Sequence, residues 1–359
     1  MDAFANPWRG HGLPADRLPS DLPFPAADAG PPLALLARCP AAAATPLTQA
    51  PALAGRFGLA GLAVKDERGR MGLGSFKALG AAYVIAHLAA AAGGRLEGET
   101  FATASAGNHG LSVAAGARVF GARAVVFIAA SVPESFAARL AAEGAEVVRA
   151  GADYAASMAA AERSAAQNGW TLLSDSSWPG YVELPHRLME GYLVMAQEIA
   201  EAAEEPPSHV FLQAGVGGMA AAVAALLRRA WGEAPHIAVV EPALAPALIE
   251  SVRAGRPVVS EGGESAMGRL DCKEPSLIAL AGLARDADSF LTITEEEAAA
   301  ALPVLAAAGF ETSASGGAGL AALMALAEHA DADSDRARVR ELLGLGPRSR
   351  ALCILSEGA

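Results

Sequence analysis

From residue 56 to the C-terminus, short apolar stretches alternate with longer helix-compatible ones, and this rhythm restricts the fold more than any other feature. Arg56 to Lys65 ends in a short strand, and Thr100-Phe101-Ala102-Thr103 reads as another. Ala122 to Ile128, Ala145 to Arg149, Thr171 to Leu173, His209 to Gln213, His236 to Val240 and Ala351 to Leu355 repeat the pattern. Val-Ile-Phe runs this short, bounded by turn residues and separated by helices, are strands buried on both faces. A mainly parallel sheet with helices on each side provides that burial. With 359 residues, 53% of them hydrophobic, the chain can build two such α/β domains or one large one.

The first fifty residues depart from the rhythm. Pro7, Pro14, Pro19, Pro23, Pro25, Pro31 and Pro32 oppose regular elements over most of residues 1–50, which read as an irregular arm wrapping the body or a second subunit. Glu198 to Glu205, followed by Pro206-Pro207, reads as a solvated helix end and a hinge. The charged stretch Asp331 to Arg340 reads as an exposed helix or loop. A net charge of −12 argues against nucleic acid or an anionic membrane as the main partner. Cys39, Cys272 and Cys353 are sparse, odd in number and lack a CxxC spacing, which indicates a reducing, cytoplasmic compartment and no zinc site. The start has no apolar h-region, and no apolar run is long enough to span a bilayer.

Ligands of open parallel sheets sit at the carboxyl ends of the strands, so the segments after each strand carry the functional information. Lys77 opens an apolar helix after Gly74-Ser75-Phe76. The helix dipole and burial both oppose an ammonium there, which favours the neutral, nucleophilic amine. A lysine snorkelling from a helix start is the ordinary alternative. Ser105-Ala106-Gly107-Asn108 follows the strand near residue 103 and precedes a helix, so its N–H groups suit a carboxylate and Asn108 offers an amide to a planar ligand. Gly215-Val216-Gly217-Gly218-Met219 follows another strand and suits a phosphate. It lacks the Lys-Ser/Thr of a Walker loop and the strict dinucleotide spacing. Asp175, after Leu173, is a candidate acid or base or else a capping residue, and Ser356 follows the last strand. An imine-forming lysine, an amide for a phenolic oxygen and a phosphate turn together fit pyridoxal 5′-phosphate.

These residues resemble those of the fold-type-II, tryptophan synthase β-like pyridoxal-phosphate enzymes, and within them the diaminopropionate ammonia-lyases. Lys65-Asp66-Glu67-Arg68, followed by Phe76-Lys77-Ala78-Leu79-Gly80, resembles that family's Lys-Asp-Glu … Phe-Lys-x-Leu-Gly segment, whose second lysine binds the cofactor. Met267-Gly268-Arg269-Leu270-Asp271-Cys272-Lys273-Glu274-Pro275 resembles its Met-Ala-Gly-Leu-x-Cys-x-Glu-Pro stretch. Residues 214–220 resemble the phosphate loop, and Ser356-Glu357-Gly358 resembles a Thr-Glu-Gly near the pyridine nitrogen. One position departs: the lyases carry Asp-Gly-Asn-His-Gly, whereas Ala106 here gives the form found in threonine and serine dehydratases, and alanine cannot bind an ammonium or move a proton. Asp175 stands at the family's second acidic position.

The resemblance implies two three-layer α/β/α domains with the cofactor in the cleft between them. Residues 51–80 and 195–359 would form the large domain, 81–194 the small one, and 1–50 an arm on the large domain. It implies Lys77 and Asp175 as catalytic residues. The cofactor would be held by Lys77, Asn108, Gly215 to Met219 and Ser356, and the substrate by Ser105, Ala106, Gly107 and Asn108. A small amino acid is the expected substrate and a homodimer the expected assembly, with no metal and no regulatory domain after residue 359. The expected reaction is α,β-elimination. The alternatives are hydroxy-amino-acid dehydration, β-replacement of the same β-carbon substituent, and cofactor binding without turnover.

Overall fold

A computed structural model describes residues 1–327 and 335–359. Its strands among those residues are β1 (Ala3–Ala5), β2 (Leu47–Gln49), β3 (Gly61–Asp66), β4 (Thr100–Ala104), β5 (Arg123–Ile128), β6 (Glu146–Arg149), β7 (Thr171–Leu172), β8 (His209–Gln213), β9 (His236–Pro242), β10 (Ser289–Ile293) and β11 (Arg350–Leu355). A seven-stranded sheet has the order β1-β10-β9-β8-β11-β3-β2, and a four-stranded sheet has the order β6-β5-β4-β7. The five inner strands of the larger sheet are parallel, and its edges β1 and β2 are antiparallel. The smaller sheet is parallel throughout. The mainly parallel α/β architecture expected from the strand–helix rhythm is therefore present.

Alternation along each strand explains why both faces need cover. Val210, Leu212, Ile237, Val239, Leu352 and Ile354 enter one core, while Phe211, Ala238, Val240, Cys353 and Leu355 enter another on the opposite face. Phe101, Ala124, Val126 and Ile128 of the smaller sheet join the first of these cores. Helices Lys77–Ala91 and Glu183–Ala202 contribute to it as well, so one apolar mass joins the two sheets. The dividing points 80/81 and 194/195 fall inside these two helices.

Two expectations are corrected, and one strand is added. The proline-rich arm supplies regular structure at both edges of the large sheet, through β1 and β2. Pro31 and Pro32 sit in the first turn of helix Gly30–Leu36, where a missing N–H costs nothing. The arm is tied to its own chain: Asn6 Nδ2 donates to Ala284 O (2.8 Å) and Trp8 Nε1 to Val252 O (2.8 Å). The added strand, β10, escaped the sequence reading because Ser289 and Thr292 break its apolar run. Both are buried and satisfied, Ser289 Oγ by His236 Nε2 (2.9 Å) and Thr292 Oγ1 by Asp2 N (3.2 Å).

Second, Glu198 is not at a solvated helix end. The helix runs on to Ala202, and Glu198 turns inward to Lys65 Nζ (2.5 Å) and Arg70 Nη2 (2.6 Å). In the charged stretch near residue 335, residues 331–334 lie outside the described residues, and the remainder begins helix Asp335–Leu343, which buries Val339 and Leu343.

Candidate active site

Lys77 reaches the cleft between the sheets along a short, heavily braced path. β3 ends in a turn, Glu67–Gly72, whose Arg70 is buried against Glu67 and Glu198. Glu67 Oε1 also accepts from Thr45 Oγ1 (2.5 Å). Past that turn, Ser75 pairs with Glu357, Phe76 N donates to Ser356 O (3.1 Å) and Gly358 N donates to Gly74 O (3.1 Å). The chain end is thus zipped to the segment that delivers Lys77. Behind the lysine, helices Lys77–Ala91 and Glu183–Ala202 approach at glycines: a Cβ on Gly80 would lie 2.8 Å from the Tyr192 ring, and one on Gly191 would lie 2.5 Å from Leu79 O. The close crossing places the rings of Phe76 and Tyr192, 4.9 Å apart, beside Nζ.

Lys77 Nζ is ion-paired with Asp175 across the cleft. The expectation of a neutral amine is corrected here. Burial opposes the ammonium, but the facing carboxylate outweighs it and raises the lysine pKa above its ordinary value. For Asp175, burial is likewise outweighed by Lys77, and the carboxyl pKa falls below the usual range. The sequence reading counted the dipole and desolvation and lacked the partner, which is 98 residues away in the chain.

Asp175 is set by the smaller sheet. Its loop leaves β7, where Leu173 N donates to Ala102 O (2.8 Å) and the Tyr181 hydroxyl bridges Ser174 N (3.0 Å) and Leu172 O (2.9 Å). Ser177 Oγ meets Ser276 Oγ (2.7 Å) and accepts from Ile278 N (3.0 Å), which pins the loop to helix Leu277–Asp286 of the larger half. His109 Nε2 is 2.8 Å from Leu173 O; burial lowers the ring's pKa, and Nδ1 has no partner among the described residues.

The glycine turn lies at the end of β8. Gly217 has φ +97°, and a Cβ on Gly215 would lie 3.0 Å from Cys272 Sγ and 3.1 Å from Arg269 O. The backbone at Gly217 favours glycine, and a side chain at Gly215 would press on Cys272 and the Arg269 carbonyl. Helix Gly218–Trp231 starts immediately after, so the N–H groups of Gly218, Met219 and Ala220 have no acceptor within the helix. Cys272 beside the turn is half-buried, and desolvation pushes its thiol up to about 12.

Ser105, Ala106 and Gly107 connect β4 to helix Asn108–Phe120. Asn108 Nδ2 donates to Glu357 Oε2, a partner the sequence reading did not assign. Glu357 also accepts from Ser313 Oγ and lies 3.2 Å from Arg269 Nε. Ser313 belongs to a small-residue turn, Ser313-Ala314-Ser315-Gly316, before helix Ala318–Ala327. It carries the same signal as the other two turns and was passed over. Ser356 is buried next to Glu357, and its hydroxyl makes no hydrogen bond among the described residues.

The residues present fit pyridoxal phosphate. A backbone-only turn at a helix start takes a dianion, a lysine faces it with an acid partner, and a buried hydroxyl has bonding capacity to spare. Parallel sheets flanking such a cleft define the fold-type-II class of pyridoxal-phosphate proteins. The chain belongs to the family of pyridoxal-phosphate dependent enzymes, whose family model matches residues 39–339. It is 32% identical over 342 residues to the diaminopropionate ammonia-lyase of Escherichia coli, covering 88% of this chain and 84% of that protein. The crystal structure of the Escherichia coli enzyme with an aminoacrylate–PLP azomethine reaction intermediate is similar at TM-score 0.88 and 30% identity, over 99% of this chain and 93% of that one. The same enzyme in complex with D-serine is similar at TM-score 0.87 and 29% identity, with the same coverage.

Proposed function

We propose that this protein is a pyridoxal-phosphate lyase acting by α,β-elimination on a small amino acid with a leaving group on C3. The products are ammonia and a 2-oxo acid, and 2,3-diaminopropionate is the type substrate. The observation that carries this reading is the Lys77–Asp175 pair together with two small-residue turns at helix starts, at 105–108 and 215–219.

When bound, pyridoxal phosphate supplies an aldehyde for a lysine amine and a ring that takes up negative charge from the α-carbon. Lys77 holds it through Nζ. The N–H groups of Gly215 to Ala220 would bind its phosphate, Asn108 Nδ2 would serve its ring oxygen, and Ser356 Oγ its ring nitrogen. The backbone of Ser105, Ala106, Gly107 and Asn108 holds the substrate carboxylate. Lys77 Nζ, freed and neutral, takes the α-proton. Asp175 accepts that proton from Nζ and returns it to the leaving group. The pairing of Nζ with Asp175 provides the path.

A second reading, dehydration of a hydroxy amino acid, is favoured by Ala106, since a methyl group cannot bind a β-ammonium. We further propose that the two sheets are the centres of two domains, that the enzyme is a cytoplasmic homodimer, and that three free cysteines reflect a reducing compartment. No helix among the described residues is long and apolar enough to cross a membrane.

The test mixes holoenzyme with both enantiomers of 2,3-diaminopropionate and of serine, and with L-threonine, and follows oxo-acid release together with the cofactor absorbance. Oxo acid without an added nucleophile is the expected result. An unchanged bound-cofactor spectrum in Lys77→Ala, or product only when a nucleophile is added, would refute the assignment.

A further inference from the structure

Arg269 occupies an unusual position for a cation. Its backbone carbonyl lies against the glycine turn, 3.1 Å from where a Gly215 Cβ would be, and its own N–H donates to Ser315 Oγ (3.1 Å). Its Nε lies 3.2 Å from Glu357 Oε2, the oxygen that also accepts from Asn108 Nδ2. Its guanidinium carbon is 6.0 Å from the ring centre of Phe136, on helix Glu134–Ala142 of the smaller half. The side chain therefore stands at the cleft where the glycine turn, the asparagine loop and the chain end meet. Its side chain is 41% exposed, and neither Nη donates a hydrogen bond to a described residue. By contrast, Lys273, four residues on, is saturated by Leu244 O, Gly263 O and Asp271.

The neighbouring groups restrict what can use those two donors. The Lys77 and Asp175 charges balance each other, and the Glu357 carboxylate is already engaged by Asn108, Ser313 and Arg269. Position 106 is a methyl group and offers no charge to a distal ammonium. A planar fork of N–H donors matches a second carboxylate in two parallel hydrogen bonds.

We propose that Arg269 is a specificity-determining residue that binds a carboxylate on the leaving-group carbon, so that the preferred substrate is a dicarboxylic amino acid. This rests on the elimination reading above. With a hydroxyl as leaving group, the α-C–H and Cβ–O bonds break and water departs. The resulting enamine tautomerises to an imine, takes up one water and releases ammonia, leaving a dicarboxylic 2-oxo acid with no net oxidation.

The test compares kcat and KM of the holoenzyme for the stereoisomers of 3-hydroxyaspartate, for serine and for 2,3-diaminopropionate, in the native protein, Arg269→Gln and Arg269→Lys. Succinate, which cannot react, is titrated into each holoenzyme by calorimetry. The native enzyme should favour 3-hydroxyaspartate over serine by at least about tenfold in kcat/KM. Arg269→Gln should cut that ratio by about 10-fold to 100-fold, mainly through KM, and should abolish succinate binding; Arg269→Lys should fall between. Serine or diaminopropionate turnover with no preference for 3-hydroxyaspartate, and a ratio unmoved by Arg269→Gln, would overturn the Arg269 assignment and leave elimination standing. Absence of oxo acid from every substrate would overturn elimination instead. Succinate titration then decides the anion site: loss in Arg269→Gln supports it, and equal binding by native and variant refutes it.

Discussion

Glu198→Ala tests whether the buried ionic cluster beneath the lysine segment holds that segment in place. Glu198 accepts from Lys65 Nζ (2.5 Å), Arg70 Nη1 (2.8 Å) and Arg70 Nη2 (2.6 Å). Lys65 and Arg70 are each 1% exposed, and Glu67, the second carboxylate, is fully buried. Two cations against two carboxylates make a neutral set; the substitution leaves one buried positive charge without a counterpart. Breaking a buried pair in this way costs about 3–5 kcal/mol. At ~2.1 cal/mol/K of unfolding entropy per residue, 359 residues give ~0.75 kcal/mol/K, so ~4 kcal/mol lowers Tm by about 5 °C. Arg70 lies in the turn that feeds Lys77, so cofactor affinity should fall as well.

Scanning calorimetry of the apoprotein and cofactor titration would read the two effects. The pH dependence has a definite sign. Burial raises the Glu198 pKa, but hydrogen bonds from Arg70 and Lys65 outweigh it, and the folded value lies below the ordinary one. A depressed carboxyl stabilises the fold fully above the unfolded value of ~4.3 and loses that contribution as pH falls through the folded value. The Tm gap between native protein and variant should therefore be full above pH ~5 and narrow in acid. A shift under about 1 °C at neutral pH would show that the cluster contributes nothing net beyond its hydrophobic replacement, and the reasoning would fail.

Asp175→Asn should retain the cofactor spectrum while kcat drops by about 10²–10⁴-fold, measured as oxo-acid release, because the proton path from Nζ is lost. In the apoprotein, Lys77 is raised and Asp175 lowered, so their pair stabilises the fold fully between pH ~4 and ~10. It weakens below that window as Asp175 protonates and above it as Lys77 deprotonates; thermal melts across pH should show the stability gap between native apoprotein and Asp175→Asn narrowing at both limits. Gly217→Ala should cost about 1–3 kcal/mol from its φ of +97° alone and weaken cofactor binding, which equilibrium dialysis would detect. Unimpaired binding in that variant would mean the turn does not hold the phosphate.

Much of the site was legible because each of its turns follows an apolar strand and precedes an apolar helix. The Gly215 to Met219 and Ser105 to Asn108 segments have the small residues that such junctions require, and Lys77 stands out against the helix it opens. The Ser313 to Gly316 turn has the small residues but follows a helix rather than a strand, and Glu357 and Arg269 carry no local signal of this kind. They matter because β11, the turn before helix Ala318–Ala327 and the loop before helix Leu277–Asp286 arrive at one place. Glu198 was misread for the same reason: its sequence neighbours are acidic and solvated, while its spatial neighbours are Lys65 and Arg70.

The sequence alone determined the parallel α/β architecture, the positions of the two small-residue turns before helices, and the lysine. All are properties of short segments, set by backbone sterics and the period of apolar residues. Only the tertiary structure decided the protonation of that lysine, the partners of Asn108 and the inward turn of Glu198. Charge and hydrogen bonding depend on which groups lie a few ångströms away, and those groups come from residues far along the chain, such as Asp175, 98 positions beyond Lys77.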